Sequence, residues 1–180
     1  QFLPFIKILK ENSYEHLLYI DEDYRKINDV EFKRFLSPPS KSNNFVINKF
    51  FRKITKGKTK KRKIIDVKGR QIILDDYYNG IIKFQFYDFF NKNYGSEDYI
   101  KIADNCNFIF LEYLLNFDER NSNLQQRFIT FIDIIYEKKI PLMITSQEKL
   151  DLLNSSNSLK EPFKRTVSRL YELTSISYKV

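Results

Sequence analysis

The chain has 180 residues, of which 42% are hydrophobic and 30% charged, enough for one hydrophobic core or two small ones. It has no uncharged apolar window of about 18 residues, and Pro4 and Lys7 interrupt the apolar N-terminal stretch, so the sequence predicts neither a membrane span nor a signal peptide. The single cysteine, Cys106, excludes an internal disulfide and a cysteine-built zinc site, as is usual for a cytoplasmic protein.

The start of the chain and the distribution of its charge give two further expectations. Gln1 is not an initiator methionine and is followed by apolar residues typical of a domain interior, so we expect the chain to be a piece of a longer protein. The formal net charge is +8, which suggests an anionic partner. Much of the excess lies between Lys49 and Lys63, so the charge is local.

The first third of the chain predicts two helices and two short strands. Residues 2–10 have apolar side chains at helical spacing, and the apolar runs 17–20 and 34–36 predict strands. The segment 37–40, with Pro38 and Pro39, predicts a loop. From Asn44 to Ile54 apolar residues recur every three or four positions, which predicts an amphipathic helix leading into the basic stretch 55–61. We interpret that stretch as a solvated linker.

The rest of the chain predicts a meander followed by alternating elements. Segments 64–67, 71–74 and 81–86 are separated by turn signals at Gly69 and Gly80, so they predict a small antiparallel meander. The later predictions are a helix at 96–103, a strand at 108–111, a helix at 124–136, a strand at 140–144 and a helix at 161–173. A strand, helix and strand at this spacing predict a parallel pair with a right-handed crossover.

The segment Gly57-Lys58-Thr59 has the letters that end a phosphate-binding loop. Such a loop needs a glycine five positions earlier, after a buried strand, and a helix after it. This chain has Arg52 at that position, an amphipathic helix before the segment and four basic residues after it. The context therefore argues against a phosphate loop.

The basic stretch could instead bind nucleic acid, because each Lys or Arg that meets a phosphate releases counterions. The candidate residues for this anion-binding alternative are Lys56, Lys58, Lys60, Lys61 and Arg62. We favour the linker interpretation, because Phe50 and Phe51 lie on the apolar face of the preceding helix and are expected in the core rather than stacked on bases.

Few other residues suggest chemistry. His16 is the only histidine and lies beside an apolar run, so a site of several imidazoles is excluded and a structural role is expected. The carboxylate pairs at 75–76 and 97–98 have no apolar sequence around them that would raise a carboxyl pKa for acid–base catalysis. Turn and cap roles are expected for them, and Ser96 followed by two carboxylates is typical of a helix start.

The last predicted helix carries two arginines on one surface. Its apolar residues share the opposite face: Phe163, Val167, Leu170 and Leu173. Arg165 and Arg169 are four residues apart, so their guanidinium groups could together clamp an anion such as a nucleotide phosphate. The alternative is a surface ion pair between Arg169 and Glu172, which we favour on these residues alone.

The order of several motifs resembles the ZapE-like AAA+ ATPases. The motifs are Phe2-Leu3-Pro4-Phe5-Ile6, Asp23-Tyr24-Arg25, Lys68-Gly69-Arg70, Phe84-Gln85-Phe86-Tyr87-Asp88 with Asp98-Tyr99, Gln126-Arg127-Phe128-Ile129 with Ile132-Asp133 and Tyr136, and Arg165-Thr166-Val167-Ser168-Arg169-Leu170. The last two are the most specific. Departures from the family pattern at Leu115, at Phe89-Phe90 and at Leu173 are apolar exchanges or loop changes.

The resemblance implies an α/β fold, namely part of an AAA+ P-loop NTPase fold with a small β meander and a C-terminal β-α-β-helix unit. It implies that residues 1–43 end the AAA+ core, that 44–63 form an amphipathic helix and basic linker, and that 64–180 form a C-terminal α/β part with the arginine helix. The family's phosphate loop, acidic magnesium-binding strand end and sensor would precede Gln1. We therefore expect ATP and Mg²⁺ to be used by the full-length protein, and this chain alone to bind neither and to be inactive.

The resemblance also implies roles and partners. Arg165 and Arg169 become nucleotide-sensing candidates, and Arg25 a weaker candidate for a structural or interface role. ATP hydrolysis would be coupled to cell division or protein quality control, in a homo-oligomer formed through the missing ATPase core and acting on a cell-division or client protein. The compartment would be the bacterial cytoplasm or, alternatively, the mitochondrial matrix. Two other classes stay open, a basic module that binds nucleic acid and a scaffold that docks the division machinery or a membrane-bound partner.

Overall fold

The computed structural model describes residues 34–178. The predictions for residues 2–10 and 17–20, His16 and Arg25 lie outside the described residues. In the part that is described, no helix is long and apolar enough to cross a membrane.

Strands and helices alternate along the described chain. The strands are β1 Phe35–Leu36, β2 Lys61–Val67, β3 Arg70–Tyr78, β4 Ile81–Gln85, β5 Phe108–Leu114 and β6 Leu142–Ser146. The helices are α1 Lys41–Thr55, α2 Phe86–Phe90, α3 Ser96–Asp104, α4 Ser122–Glu137 and α5 Lys160–Ser175, with short 3-10 turns at Glu119–Asn121, Leu150–Leu152 and Asn157–Leu159.

All six strands join one mixed sheet in the order β1-β6-β5-β4-β3-β2. The predicted meander β2-β3-β4 is antiparallel, as expected. Its last strand then pairs in parallel with β5, which pairs in parallel with β6, and β6 with β1. The strand, helix and strand of the last third are therefore a parallel pair, and the α/β fold class is confirmed.

Two tight turns fix the register of the antiparallel part. Lys68 and Gly69 have φ of 47° and 80°, and Asn79 and Gly80 have φ of 50° and 90°. Two consecutive left-handed residues are the pattern of a two-residue hairpin whose twist matches that of its strands. At Gly80, whose φ of 90° favours glycine, a Cβ atom would lie 2.5 Å from the Asn107 amide nitrogen and would have to displace that side chain.

Helix α1 begins earlier than predicted and the basic linker after it is shorter. The Ser40 side chain accepts a hydrogen bond from the Asn43 backbone N–H at 3.0 Å, which caps a helix that begins at Lys41. Strand β2 begins at Lys61, so the interpretation of the basic stretch as linker was wrong at its end. Lys61 and Arg62 lie in the sheet, and both stay exposed at the start of β2, which is an edge strand.

The sheet packs helices on both faces. Because neighbouring residues of a strand point to opposite faces, Phe108 and Phe110 of β5 lie on one side. There they contact Phe50 and Phe51 of α1. The ring centroids of Phe50 and Phe108 are 5.6 Å apart, and those of Phe51 and Phe110 are 5.2 Å apart. The two α1 phenylalanines, expected in the core, are half-buried and pack on this face of the sheet.

The opposite face carries the larger core. Strand residues Ile82, Ile109, Leu111, Leu142 and Ile144 lie in it with Phe128, Phe131 and Ile132 of α4 and Leu170 and Leu173 of α5. Apolar side chains on α4 and α5 thus meet the same surface of the sheet. This packing brings the two helices side by side.

Helix α2 was not predicted. The expected strand 81–86 ends at Gln85, and a five-residue helix follows. Its residues Phe86, Phe89 and Phe90 are buried at the spacing of one helical turn. Phe89 stacks on Phe84 with ring centroids 3.9 Å apart, so aromatic packing rather than backbone preference decides this segment.

The other boundaries are close to those predicted. Helices α3, α4 and α5 each contain their predicted spans with one or two extra residues at an end. Strand β6 begins at Leu142 rather than Ile140, because Pro141 lies between them and cannot donate to a sheet ladder. The division of the chain at residues 43/44 and 63/64 stays a prediction.

The arginine cluster of the C-terminal helix

Helix α5 is held against the core by the face that its sequence predicts. Phe163, Leu170 and Leu173 are buried, and Val167 packs against the core while half-buried. This orientation turns Arg165 and Arg169 towards the neighbouring helix α4.

Arg169 is enclosed by side chains of α4. Its guanidinium donates to one carboxylate oxygen of Asp133 and lies 3.7 Å from the Glu137 carboxylate. The same guanidinium lies 4.7 Å from the centroid of the Tyr136 ring, a cation–π geometry. The Arg169 side chain is only 16% exposed, so it is fixed in one position.

Arg165 uses the other oxygen of the same carboxylate. Its Nη2 donates to Asp133 Oδ2 at 2.9 Å, while the side chain stays 60% exposed. One carboxylate therefore holds two guanidinium groups, and a positive charge remains on Arg165 facing water. An anion could approach that group without displacing the core.

The predicted alternative for Arg169, an ion pair with Glu172, is not the arrangement that the structure has. Glu172 Oε2 accepts a hydrogen bond from the Tyr136 hydroxyl at 2.8 Å. This bond raises the pKa of Tyr136, since the neighbouring carboxylate disfavours a phenolate. Arg169 instead contacts Asp133 and Glu137, which lie on the neighbouring helix α4.

Asp133 is the member of this cluster whose contacts the sequence reasoning missed. It belongs to the motif with Ile132, and the two arginines belong to the C-terminal motif, so two of the resembling motifs meet in space. A signal was present, since Asp133 is the only carboxylate within 124–136, a helix that is otherwise mostly apolar. Such a charge on a core helix requires a partner.

Other motif residues also bind one another. Arg70 Nη2 lies 2.7 Å from Asp98 Oδ2, and the Asp98 side chain is completely buried. The same oxygen accepts from the Gly95 backbone N–H at 2.7 Å and so caps α3 as predicted. Arg127 donates to the Phe90 carbonyl at 2.8 Å and thereby ties α4 to the end of α2. The motifs therefore mark contacts that hold the fold together.

The Gly57-Lys58-Thr59 segment has the geometry of a helix end. Gly57, with φ of 76°, follows α1, and strand β2 comes next. The Lys58 ammonium donates to the Ile54 carbonyl at 2.7 Å, which is a C-terminal contact of α1. A phosphate loop needs a helix N-terminus after it, so the context argues against one here as the sequence did.

The basic stretch is partly neutralised within the sheet. Lys60 pairs with Asp76, and Arg62 Nε lies 3.2 Å from Asp75 Oδ1. The expectation that Asp75 and Asp76 act in a turn is wrong, because both lie in strand β3 opposite these cations. The anion-binding alternative at Lys56, Lys58, Lys60, Lys61 and Arg62 stays a prediction.

Among residues 34–178, no group of three or more His, Cys, Asp or Glu side chains is placed to hold a metal ion. The exposed guanidinium of Arg165 can donate two parallel hydrogen bonds to a phosphate. A cavity of about 630 Å³ beside α5 is lined by Val167 and Tyr171, which leave the helix on the flank away from Arg165.

The chain resembles known proteins over its whole length. The model of the family described as AFG1-like ATPase matches residues 1–180. The chain is 22% identical over 178 residues to Cell division protein ZapE of Escherichia coli strain K12, covering 99% of this chain and 48% of that protein. The figures are the same for Cell division protein ZapE of Escherichia coli O157:H7.

A fungal relative is similar to a shorter part. The chain is 23% identical over 148 residues to an uncharacterized protein of Schizosaccharomyces pombe, covering 81% of this chain and 33% of that protein. The chain spans about half the length of the two bacterial relatives. No solved structure matches it significantly. The family match covers every residue, and the chain belongs to the AFG1-like ATPase family.

Proposed function

We propose that this chain is the C-terminal part of an ATP-hydrolysing AAA+ protein, in which Arg165 contacts the γ-phosphate of ATP and Arg169 positions it. The observation that carries the proposal is the sharing of Asp133 between the two arginines. It makes one guanidinium rigid and leaves the other tethered but exposed.

The chemistry favours Arg165 for the contact. Charge spreads over the oxygens of the transferring phosphoryl group, and a cation whose donors can reach those oxygens stabilises that charge. Arg165 is held by a single bond to Asp133 and is 60% exposed, so its remaining donors are free to meet an anion. Mg²⁺, when bound with ATP, would neutralise further phosphate charge.

Arg169 suits a supporting role. Its side chain is enclosed by Asp133, Glu137 and the Tyr136 ring, and reaching a phosphate would break these contacts. By occupying Asp133 Oδ1, it leaves only Oδ2 for Arg165. We therefore call Arg169 a positioning residue.

The biological setting is proposed from the relatives. Two of them carry the name Cell division protein, and the family is described as an ATPase. We infer that ATP hydrolysis in the full-length protein is coupled to cell division or to protein quality control, in a homo-oligomer that acts on a client protein. The cytoplasm of a bacterium fits this role, with the mitochondrial matrix as the alternative.

Turnover of ATP by the full-length protein tests the assignment. We expect Arg165→Ala to lower kcat about 100-fold, since a lost phosphate donor typically has this effect. Lys164→Ala is the matched control, because Lys164 is the neighbouring cation, 65% exposed and paired only with Glu161 within the described residues. Unchanged kcat in Arg165→Ala, or an equal loss in Lys164→Ala, would contradict the role of Arg165.

A second variant separates positioning from contact. Arg169→Lys keeps a charge beside Asp133 but cannot fill the same planar contacts, so we expect a smaller loss in kcat than for Arg165→Ala. Arg165→Lys should restore only part of the activity for the same reason. A larger loss from Arg169→Lys than from Arg165→Ala would reverse the two roles.

A further inference from the structure

The positive charge of the chain is concentrated in one segment. Residues 41–63 contain ten Lys and Arg and no Asp or Glu, while the rest of the chain has 21 Lys and Arg against 23 Asp and Glu. The net charge of +8 is therefore due entirely to this segment, which comprises α1, the short linker and the start of β2.

The outward face of α1 arranges this charge as a stripe. Four cations and one aromatic residue follow at steps of four, four, three and four positions: Lys41, Phe45, Lys49, Arg52 and Lys56. This spacing keeps the four that lie within α1 on one face of the helix, opposite the buried Ile47 and Ile54, and Lys56 is the C-cap residue that follows them. The stripe is about 22 Å long at a rise of about 1.5 Å per residue. Phe45 lies within it with its side chain 56% exposed.

The stripe is not explained by a general excess of lysine. The outward faces of the other long helices mix both signs of charge. On α3, Lys101 lies between Glu97 and Asp104, and on α5, Lys164 pairs with Glu161. A bias towards lysine would add cations to every helix, but it would not remove each carboxylate from α1 alone.

The cations nearest the end of α1 are available to a partner. Lys60 and Arg62 are engaged with Asp76 and Asp75. By contrast, Arg52, Lys53 and Lys56 are exposed, and across residues 34–178 none of the three is paired with a carboxylate. The surface for an anion thus lies on the helix rather than on the basic loop.

We propose that the outward face of α1 binds single-stranded nucleic acid. Proteins that hold a single strand combine a line of cations for the phosphates with exposed aromatic rings on which bases stack. The stripe supplies both, with Phe45 as the ring.

A lipid surface is a poorer match. An interfacial helix must bury a broad apolar face in the membrane, but the apolar face of α1 already packs on Phe108 and Phe110. Phe45 is the one large apolar side chain that remains outward on α1. Charge attraction alone would then have to hold the protein on lipid.

The binding surface is separate from the arginine cluster. Helix α1 packs on the Phe108 and Phe110 face of the sheet, and α4 and α5 pack on the opposite face. Loss of nucleic-acid binding and loss of ATP turnover can therefore be measured independently.

Fluorescence anisotropy with a labelled oligothymidylate of 20 nucleotides tests the proposal, with the 180-residue chain at several salt concentrations. We expect Arg52→Gln/Lys53→Gln/Lys56→Gln to weaken binding at least about tenfold and to make the slope of log K against log salt about 2 less steep, since each lost phosphate contact removes about 0.7. Lys92→Gln/Lys101→Gln/Lys160→Gln is the control with the same charge change. It should weaken binding much less than the α1 variant, because these three residues contribute only long-range attraction, which salt screens.

Phe45→Ala distinguishes a single strand from other polyanions. Loss of one stacked base should weaken binding about tenfold without changing the salt slope. Equal binding of both triple variants would overturn the proposal. Duplex DNA bound as tightly as the single strand with no effect of Phe45→Ala, or binding to phosphatidylserine vesicles but not to the oligonucleotide, would also overturn it.

Discussion

Asp133 Oδ2 accepts a hydrogen bond from Arg165 Nη2 at 2.9 Å, while the other oxygen of the same carboxylate is taken by Arg169. The arrangement connects α4 to α5 through one acidic residue. Without it, two guanidinium groups one helical turn apart would repel each other at the surface of the core. Asp133 is thus as important to the site as the arginines are.

Asp133→Asn should destabilise the chain. The variant keeps the shape of the side chain but leaves two cations without their shared counterion, one of them only 16% exposed. We expect the free energy of unfolding to fall by about 1–2 kcal/mol, measured by urea denaturation. Glu137→Gln is the control, because Glu137 is 75% exposed and 3.7 Å from Arg169, so its loss should cost less than about 0.5 kcal/mol. Similar losses in both variants would show that Asp133 has no special role.

Arg70→Gln should lower the free energy of unfolding, because it leaves a buried carboxylate without its cation. Asp98 is fully buried and its Oδ2 accepts only from Arg70 and the Gly95 backbone among the described residues. Removing the cation should lower the free energy of unfolding by about 1–3 kcal/mol. Lys68→Gln, at the other end of the same turn, breaks an exposed pair with Glu97 and should change it by less than about 0.5 kcal/mol. An Arg70 variant as stable as the Lys68 variant would refute this account.

The sequence predicts the long helices because their apolar residues recur at helical spacing. Helices α4 and α5 form at the predicted positions, and Phe163, Leu170 and Leu173 are buried as expected. Helix α2 was not predicted, because Phe84 and Phe86 alternate as the residues of a strand do and so predict that the strand continues to residue 86. The helix is favoured instead by the burial of Phe86, Phe89 and Phe90 and by the stacking of Phe84 on Phe89.

Long-range contacts could not be read from the sequence. The spacing of Arg165 and Arg169 predicts a shared surface, but no local pattern shows that Asp133 lies opposite, 32 and 36 residues away. Likewise Arg34 binds carbonyl groups about 140 residues later in the chain. The Arg34 contacts form because the end of α5 lies beside the residue that precedes β1, where the Arg34 backbone N–H also donates to the Thr174 carbonyl at 3.1 Å.

Arg34→Met should weaken the end of α5. The buried guanidinium donates to the carbonyls of Leu173 and Thr174, each at 3.2 Å, and to that of Ile176. Burial lowers the pKa of Arg34 to about 10, so the group is still charged at neutral pH, at the negative end of the helix dipole. We expect a loss of about 2–4 kcal/mol in the free energy of unfolding, because buried carbonyls lose their donors.

The control for Arg34 is an exposed arginine. Arg120 has a side chain 93% exposed, and Arg120→Met should change the free energy of unfolding by less than about 0.5 kcal/mol. Hydrogen exchange gives a second readout, since the amides of the last turn of α5 should exchange faster in Arg34→Met. Unchanged exchange there would show that Arg34 does not cap the helix.

Tyr99→Phe should not destabilise the protein. The Tyr99 hydroxyl is buried and has no hydrogen-bond partner among residues 34–178, and burial raises its pKa to about 12. Removing an unpaired buried hydroxyl is neutral or stabilising, because the folded chain no longer buries a polar group that has lost its hydrogen bonds to water. Tyr77→Phe is the contrast, since its hydroxyl donates to the Asn105 carbonyl at 3.1 Å. That variant should lose about 1 kcal/mol in urea denaturation, and the opposite order would refute the assignment.

The thiol of Cys106 should make the free energy of unfolding vary with pH in the alkaline range. Burial raises the pKa of its thiol to about 12 from the usual 9.0, so the denatured chain releases this proton at lower pH than the native chain does. The resulting stability is fully present below about pH 9 and is lost as the pH rises towards 12. The free energy of unfolding should therefore fall more between pH 8 and about pH 10.5 for the native chain than for Cys106→Ala, which removes only this group. Parallel pH profiles for the two chains would contradict the assignment. A thiol reagent at pH 8 gives an independent check, because the folded chain should react far more slowly than the chain in urea.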